Sequence, residues 1–139
     1  MVQFERLAAA EDYRGALEDI SRKGMSANRK TMLLAHYAMP DHIATMRYLA
    51  ATVGYTRTHS YANLQYGGLA KQLRQALDLK YDNRDLWSLA TWPERDIDDD
   101  HEFSFRMRPE VATALELLGW TTTLPVIPGI ERVYARAAT

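Results

Sequence analysis

The chain has 139 residues, 47% of them hydrophobic and 25% charged, with a formal net charge of −1 and no cysteine. That length and balance fit one folded domain rather than a disordered tail, and the missing thiols exclude disulfides, thiolate zinc sites and cysteine nucleophiles. Met1 to Glu5 lack a basic stretch followed by an apolar run, and no window reaches the roughly 18 apolar residues of a membrane span, so a cytoplasmic protein without a membrane partner is expected.

Tyr13, Ala16, Leu17 and Ile20 recur at helical spacing and predict a first helix that Gly24 ends. Ser26 suits the N-cap of a second helix running to about Ala38, where Met39-Pro40-Asp41 breaks it. Thr45 caps a third, with Met46, Leu49, Ala50 and Val53 inward and Gly54 closing it. After the polar turn at 55–59, Ser60 caps a fourth helix reaching Leu79. Its buried side is Tyr66, Leu69, Leu73 and Leu77, with Ala70 and Ala76 beside them.

Beyond Asp82-Asn83 the hydrophobic period changes. Leu86 to Trp92 reads as a strand, and Phe103, Phe105 and Met107 alternate with Ser104, Arg106 and Arg108, so a hairpin with a long acidic tip at 94–102 is expected. Pro109 starts a further helix that Gly119 ends, and Trp120 to Ile127 reads as one more strand. The expected whole is a single α+β domain over 1–139. It comprises an N-terminal helix in 1–25, a helix-turn-helix core at 26–80, hairpin and helix at 85–127, and a tail at 128–139, in which Glu131 to Thr139 form a short helix or fray.

Charge is segregated along the chain. From Ile20 to Leu77 eight bases (Arg22, Lys23, Arg29, Lys30, Arg47, Arg57, Lys71, Arg74) face one acid, Asp41, a net of +7, whereas the flanks carry −3 and −5. A positive field confined to one helical region is the footprint of a surface that meets polyphosphate. Ala50-x-x-x-Gly54 fits a helix-turn-helix, in which a small residue lets the second helix approach and glycine takes the left-handed turn. On the following helix Asn63, Gly67, Lys71 and Arg74 form one outward stripe, with Tyr61 and Gln65 near its N-terminal end. Asn and Gln can address an adenine edge, and Lys and Arg can reach phosphate or guanine. The pair Gly67-Gly68 costs helix stability, about 1 kcal/mol per glycine relative to alanine, and implies either a closely approaching ligand or a tight helix crossing.

Several runs together resemble a known type of domain: Leu33-Leu34-Ala35-His36-Tyr37, Ile43-Ala44-Thr45, Val53-Gly54-Tyr55, Ala62-Asn63-Leu64-Gln65-Tyr66-Gly67, Met107-Arg108-Pro109-Glu110-Val111 and Leu118-Gly119-Trp120. They are similar to a bacterial helix-turn-helix, winged-helix-like domain that occurs alone or ahead of HNH-type nuclease modules in restriction-like proteins. The resemblance covers about residues 30–120 and implies target binding through Ala62 to Leu69. No HNH motif is present, so cleavage is not implied. The tip 94–102, dense in carboxylates, departs from a DNA-binding wing and is expected to point away from DNA or to touch a protein.

Other constellations carry less. Asp96, Asp98 and Asp100 alternate like a calcium loop, but His101 stands where glycine is needed and Met107 where glutamate is, so a solvated loop is expected. His36, His42, His59 and His101 have no zinc spacing, and Ser60 and Ser88 lie in no nucleophile motif. Arg106 and Arg108 are expected to pair with Asp98 to Glu102 across the hairpin, and Trp87, Trp92, Trp120, Phe103 and Phe105 to fill the core. The expected function is therefore non-catalytic duplex-DNA binding without a cofactor or metal, through Arg57, Ser60, Tyr61, Asn63, Gln65, Gly67, Lys71 and Arg74. The competing expectations are a protein-interaction or homodimer module with a charge-segregated surface and, third, a small enzyme built from scattered residues.

Overall fold

The computed structural model describes residues 8–55, 60–79, 85–93, 103–131 and 133. Among them the chain runs α1 (Ala10–Gly24), α2 (Ala27–Ala38), β1 (Ile43–Thr45), α3 (Met46–Thr52), α4 (Ser60–Ala76), β2 (Ala90–Thr91), β3 (Ser104–Met107) and α5 (Pro109–Leu117). Single 3-10 turns lie at Pro40–His42, Asp85–Ser88 and Trp120–Thr122. The class is α+β.

The helix starts follow the sequence. Ser26 Oγ accepts from the Arg29 amide at 3.1 Å and Thr45 Oγ1 from the Tyr48 amide at 3.5 Å, each satisfying a donor that the first turn leaves unpaired. Gly54, at φ 89°, turns the chain so that its own amide and that of Tyr55 return to Ala51 O and Ala50 O at 3.1 and 2.8 Å. That closes α3 as the left-handed glycine predicts. The helices α2, α3 and α4 pack on one another, while α1 lies against α5 and α4. Leu17, Met32, Leu33, Leu49, Tyr66, Leu69, Leu73 and Phe105 are wholly buried between them, each leucine contributing about 2 kcal/mol of burial.

The sheet is antiparallel in the order β1-β3-β2, with Ile43 opposite Arg106, Thr45 opposite Ser104 and Ala90 opposite Met107. The expected hairpin is therefore present in β2 and β3, and its tip at 94–102 lies outside the described residues. The strand β1, three residues between a 3-10 turn and a helix, was too short to show a period in the sequence.

His36 fastens the sheet to the helices from a fully buried position. Its Nε2 lies 3.1 Å from the Phe105 carbonyl, which can only accept, so Nε2 carries the proton. The bare Nδ1 then accepts from the Tyr66 hydroxyl at 2.7 Å. Burial outweighs the backbone hydrogen bonds and lowers the His36 pKa to about 3, while desolvation raises that of Tyr66, so both groups stay neutral.

Five local expectations are overturned. Of the strand expected over Leu86 to Trp92 only Ala90 and Thr91 form one, and Leu86 to Ser88 are a 3-10 turn, because the Ser88 carbonyl accepts from the Tyr13 hydroxyl at 2.6 Å and the Trp87 carbonyl from Arg108 Nε at 2.5 Å, diverting both from a strand ladder. Trp120 to Ile127 is a 3-10 turn followed by irregular chain, where Pro125 has no amide to donate and Val126 is 89% exposed. The fourth helix stops at Ala76, which is exposed, because Asp78 turns left-handed at φ 51°. Phe103 and Trp92 lie at the surface, while Ser104 is buried with its Oγ lacking a hydrogen-bond partner. The strict alternation fails there because Ser104 and Phe105, successive residues on opposite faces of β3, are both buried.

Candidate nucleic-acid interface

The helix α4 presents two polar faces, and they differ in what meets them. One runs through Gln65, Gly68 and Gln72 and faces α2. There the Arg29 guanidinium lies across the helix, donating from Nε to Gln65 Oε1 at 3.0 Å and from Nη1 to Gln72 Oε1 at 2.8 Å. A Cβ on Gly68 would come within 2.6 Å of Arg29 Nη2, so this glycine exists for a side chain that crosses it. Tyr61 belongs to the same crossing, accepting from Asn28 Nδ2 at 3.1 Å and stacking on Tyr55 with ring centroids 4.1 Å apart.

The other face carries Ser60, Asn63, Leu64, Gly67 and Lys71, spaced at i, i+3, i+4, i+7 and i+11. Ser60, Asn63, Leu64 and Lys71 are exposed, Leu64 by 71%, and nothing lies within 4 Å of a Cβ built on Gly67. No carboxylate occurs between Ser60 and Leu77. This face can offer a hydroxyl, an amide, an apolar contact, a close backbone and a cation to a groove in succession.

The expected residues therefore divide. Ser60, Asn63, Gly67 and Lys71 share the open face, whereas Tyr61 and Gln65 are turned to α2 and act as its supports. Arg74 is committed elsewhere: its Nε meets Asp85 Oδ1 at 2.5 Å, with both side chains about one third exposed, which removes it as an open cation. Arg57 lies outside the described residues, as do the Asp96-Asp98-Asp100 alternation, His59 and His101. The pairing of Arg106 and Arg108 with 98–102 also falls on undescribed partners. Among described atoms Arg106 Nε donates to Asp41 O at 3.2 Å.

Other central cations are also engaged. Lys23 Nζ and Arg22 Nη2 reach Asp19 at 3.0 and 3.6 Å, and Lys30 Nζ stands 4.3 Å above the Trp120 ring. The positive segment thus spreads over several surfaces. Lys71 is the cation of the open α4 face, and Arg29, held by neutral amides, flanks the helix.

A second concavity lies between the 40–42 turn, β3 and α5, an open hollow of about 420 Å³ lined in part by Asp41, His42, Arg106 and Glu116. Asp41 and His42 are both left-handed, at φ 56° and 59°. His42 Nδ1 donates to Tyr37 O at 2.6 Å, because a carbonyl cannot donate. The Tyr37 hydroxyl donates to Glu116 Oε2 at 2.5 Å, and that carboxylate holds the phenol above its ordinary pKa. Among the described residues no group of three or more His, Asp or Glu side chains could hold a metal ion.

Sequence reasoning missed Arg29 and Leu64 as parts of this region. Gln65 and Gln72 at i and i+7 around Gly68 were the available signal for the first, since two amides flanking a glycine can seat a guanidinium. No family model, curated protein or solved structure matches the chain.

Proposed function

We propose that the chain is a duplex-DNA-binding domain of winged-helix type with no catalytic role, and that α4 enters the groove. The observation that carries this reading is the solvent-exposed stripe of Asn63, Leu64 and Lys71 beside Gly67, in a stretch without carboxylates, on a helix otherwise packed against α1, α2 and α3. Element order supports it: helix, strand, helix, helix, strand, strand from α2 to β3, with β1 added beside β3, is the order of a winged helix. Ser60 and the α4 N-terminus would take a phosphate, Asn63 a base edge, Leu64 a thymine methyl and Lys71 the backbone. Gly67 leaves room for close approach. Arg57 belongs to the proposed contact set, and Tyr61, Gln65 and Arg29 hold the helix in place. The resemblance to the restriction-associated domain is part of the same proposal.

Fluorescence anisotropy with a mixed-sequence duplex, repeated across salt concentrations, tests it. Affinity should fall linearly on a log–log plot against salt and should drop further in Lys71→Glu. Binding indifferent to ionic strength, or undiminished in Lys71→Glu, rules the interface out.

The engagement of Arg22, Lys23, Lys30 and Arg74 favours a second reading, a protein-interaction or homodimeric module, because it leaves a sparser positive field. Light scattering together with absent DNA affinity would select that reading.

A further inference from the structure

The cations of the central segment divide by what holds them. Arg74 meets Asp85, and Arg22 and Lys23 share Asp19, so each faces an opposite charge. Arg29 is held differently. Its Nε and Nη1 donate to the amide oxygens of Gln65 and Gln72, and no carboxylate among the described residues pairs with it. Two neutral acceptors fix the plane of a guanidinium without cancelling its charge. They engage two of its five N–H donors, leaving one on Nη1 and both on Nη2.

Position makes a site of that charge. Gly68 has no Cβ to keep the guanidinium away, so Nη2 lies against the α4 backbone. Exposed Lys71 is three residues beyond Gly68 and Gln72 four, so Lys71 projects from the helix row beside the one that Arg29 crosses. The other end of Arg29 is also fixed, its amide donating to Ser26 Oγ and its neighbour Asn28 to the Tyr61 hydroxyl. A partly exposed fork of set direction, still fully charged and with a second cation beside it, suits a phosphate group.

We infer that Arg29 and Lys71 together bind one phosphate, Arg29 donating from Nη1 and Nη2 and Lys71 supplying a point charge. In a duplex this group is a backbone phosphodiester beside the groove that α4 enters, and to that extent the inference rests on the reading above. Free polyphosphate offers the same chemistry. Two titrations of the full chain test the site: duplex DNA read by anisotropy, and inorganic pyrophosphate read by the chemical shift of the Arg29 Nε–H. Both should bind, and pyrophosphate should move the Arg29 signal. Gln72→Glu isolates the charge, because it keeps an acceptor for Nη1 while neutralising the guanidinium. Its melting temperature should be held or raised, while duplex affinity falls about tenfold and the log–log salt slope shrinks by about one. Arg29→Gln should lose as much slope. Unchanged affinity and slope in either variant, with the duplex still bound, overturns the inference and leaves the α4 reading standing. A pyrophosphate shift at Arg29 without duplex affinity supports the phosphate site and ends the α4 reading. No shift at Arg29 with either ligand overturns the site.

Discussion

His36 Nδ1 lies 2.7 Å from the Tyr66 hydroxyl while its Nε2 holds the Phe105 carbonyl at 3.1 Å, so one neutral imidazole joins α2, α4 and β3. A buried histidine in this state makes stability depend on pH. Its folded pKa is lowered to about 3, against about 6.5 in the unfolded chain. Between those values the unfolded chain carries a proton that the folded one does not. Stability is thus complete above the unfolded value and declines as pH falls through the window. At pH 5 this group alone should cost about 2 kcal/mol. Urea midpoints at pH 7.5 and 5 measure it; identical midpoints would show that His36 is not held neutral.

Removing one partner of the same pair gives a graded outcome. Tyr66→Phe leaves Nδ1 bare in the core and should destabilise by about 1–2 kcal/mol. His36→Ala strands both the hydroxyl and the Phe105 carbonyl and opens a cavity, costing about 3–5 kcal/mol. Chemical denaturation reads both, and the smaller loss must belong to Tyr66→Phe.

Arg74 and Asp85 should couple. Since both side chains are about one third exposed, solvent screening limits the pair to about 1 kcal/mol in a double-mutant cycle. Because Arg74 is engaged there, Arg74→Ala should change DNA affinity less than Lys71→Ala does. Comparable losses from the two would return Arg74 to the interface.

The adjacent glycines should separate by function. At Gly67 a methyl meets nothing within the protein, so Gly67→Ala should stabilise the helix by about 1 kcal/mol while weakening DNA binding by filling the approach. At Gly68 the methyl displaces the Arg29 guanidinium from Gln65 and Gln72, so Gly68→Ala should gain no stability. Equal melting temperatures for the two variants would contradict this division.

Legibility in the sequence followed the range of the interactions. Caps and stops are local, so Ser26, Thr45 and Gly54 announced their helices in advance, and the apolar spacing of Tyr66, Leu69 and Leu73 identified the inner side of α4. Long-range partners were hidden. Periodicity shows that Gln65 and Arg74 are polar positions, but only the fold brings Arg29 to the first and Asp85 to the second. Trp92 and Phe103 were assigned inward because large rings usually are, and nothing local distinguishes surface rings from core ones. The strand pattern around 86–92 failed for a similar reason, as Tyr13 and Arg108 claim its carbonyls from distant parts of the chain.

Amide chemical-shift mapping during titration with duplex DNA tests the central claim most directly. The largest shifts should fall at Ser60, Asn63, Leu64, Gly67 and Lys71, shrinking as salt is raised. Shifts confined to Trp92 and Phe103, or none at millimolar duplex, would contradict it.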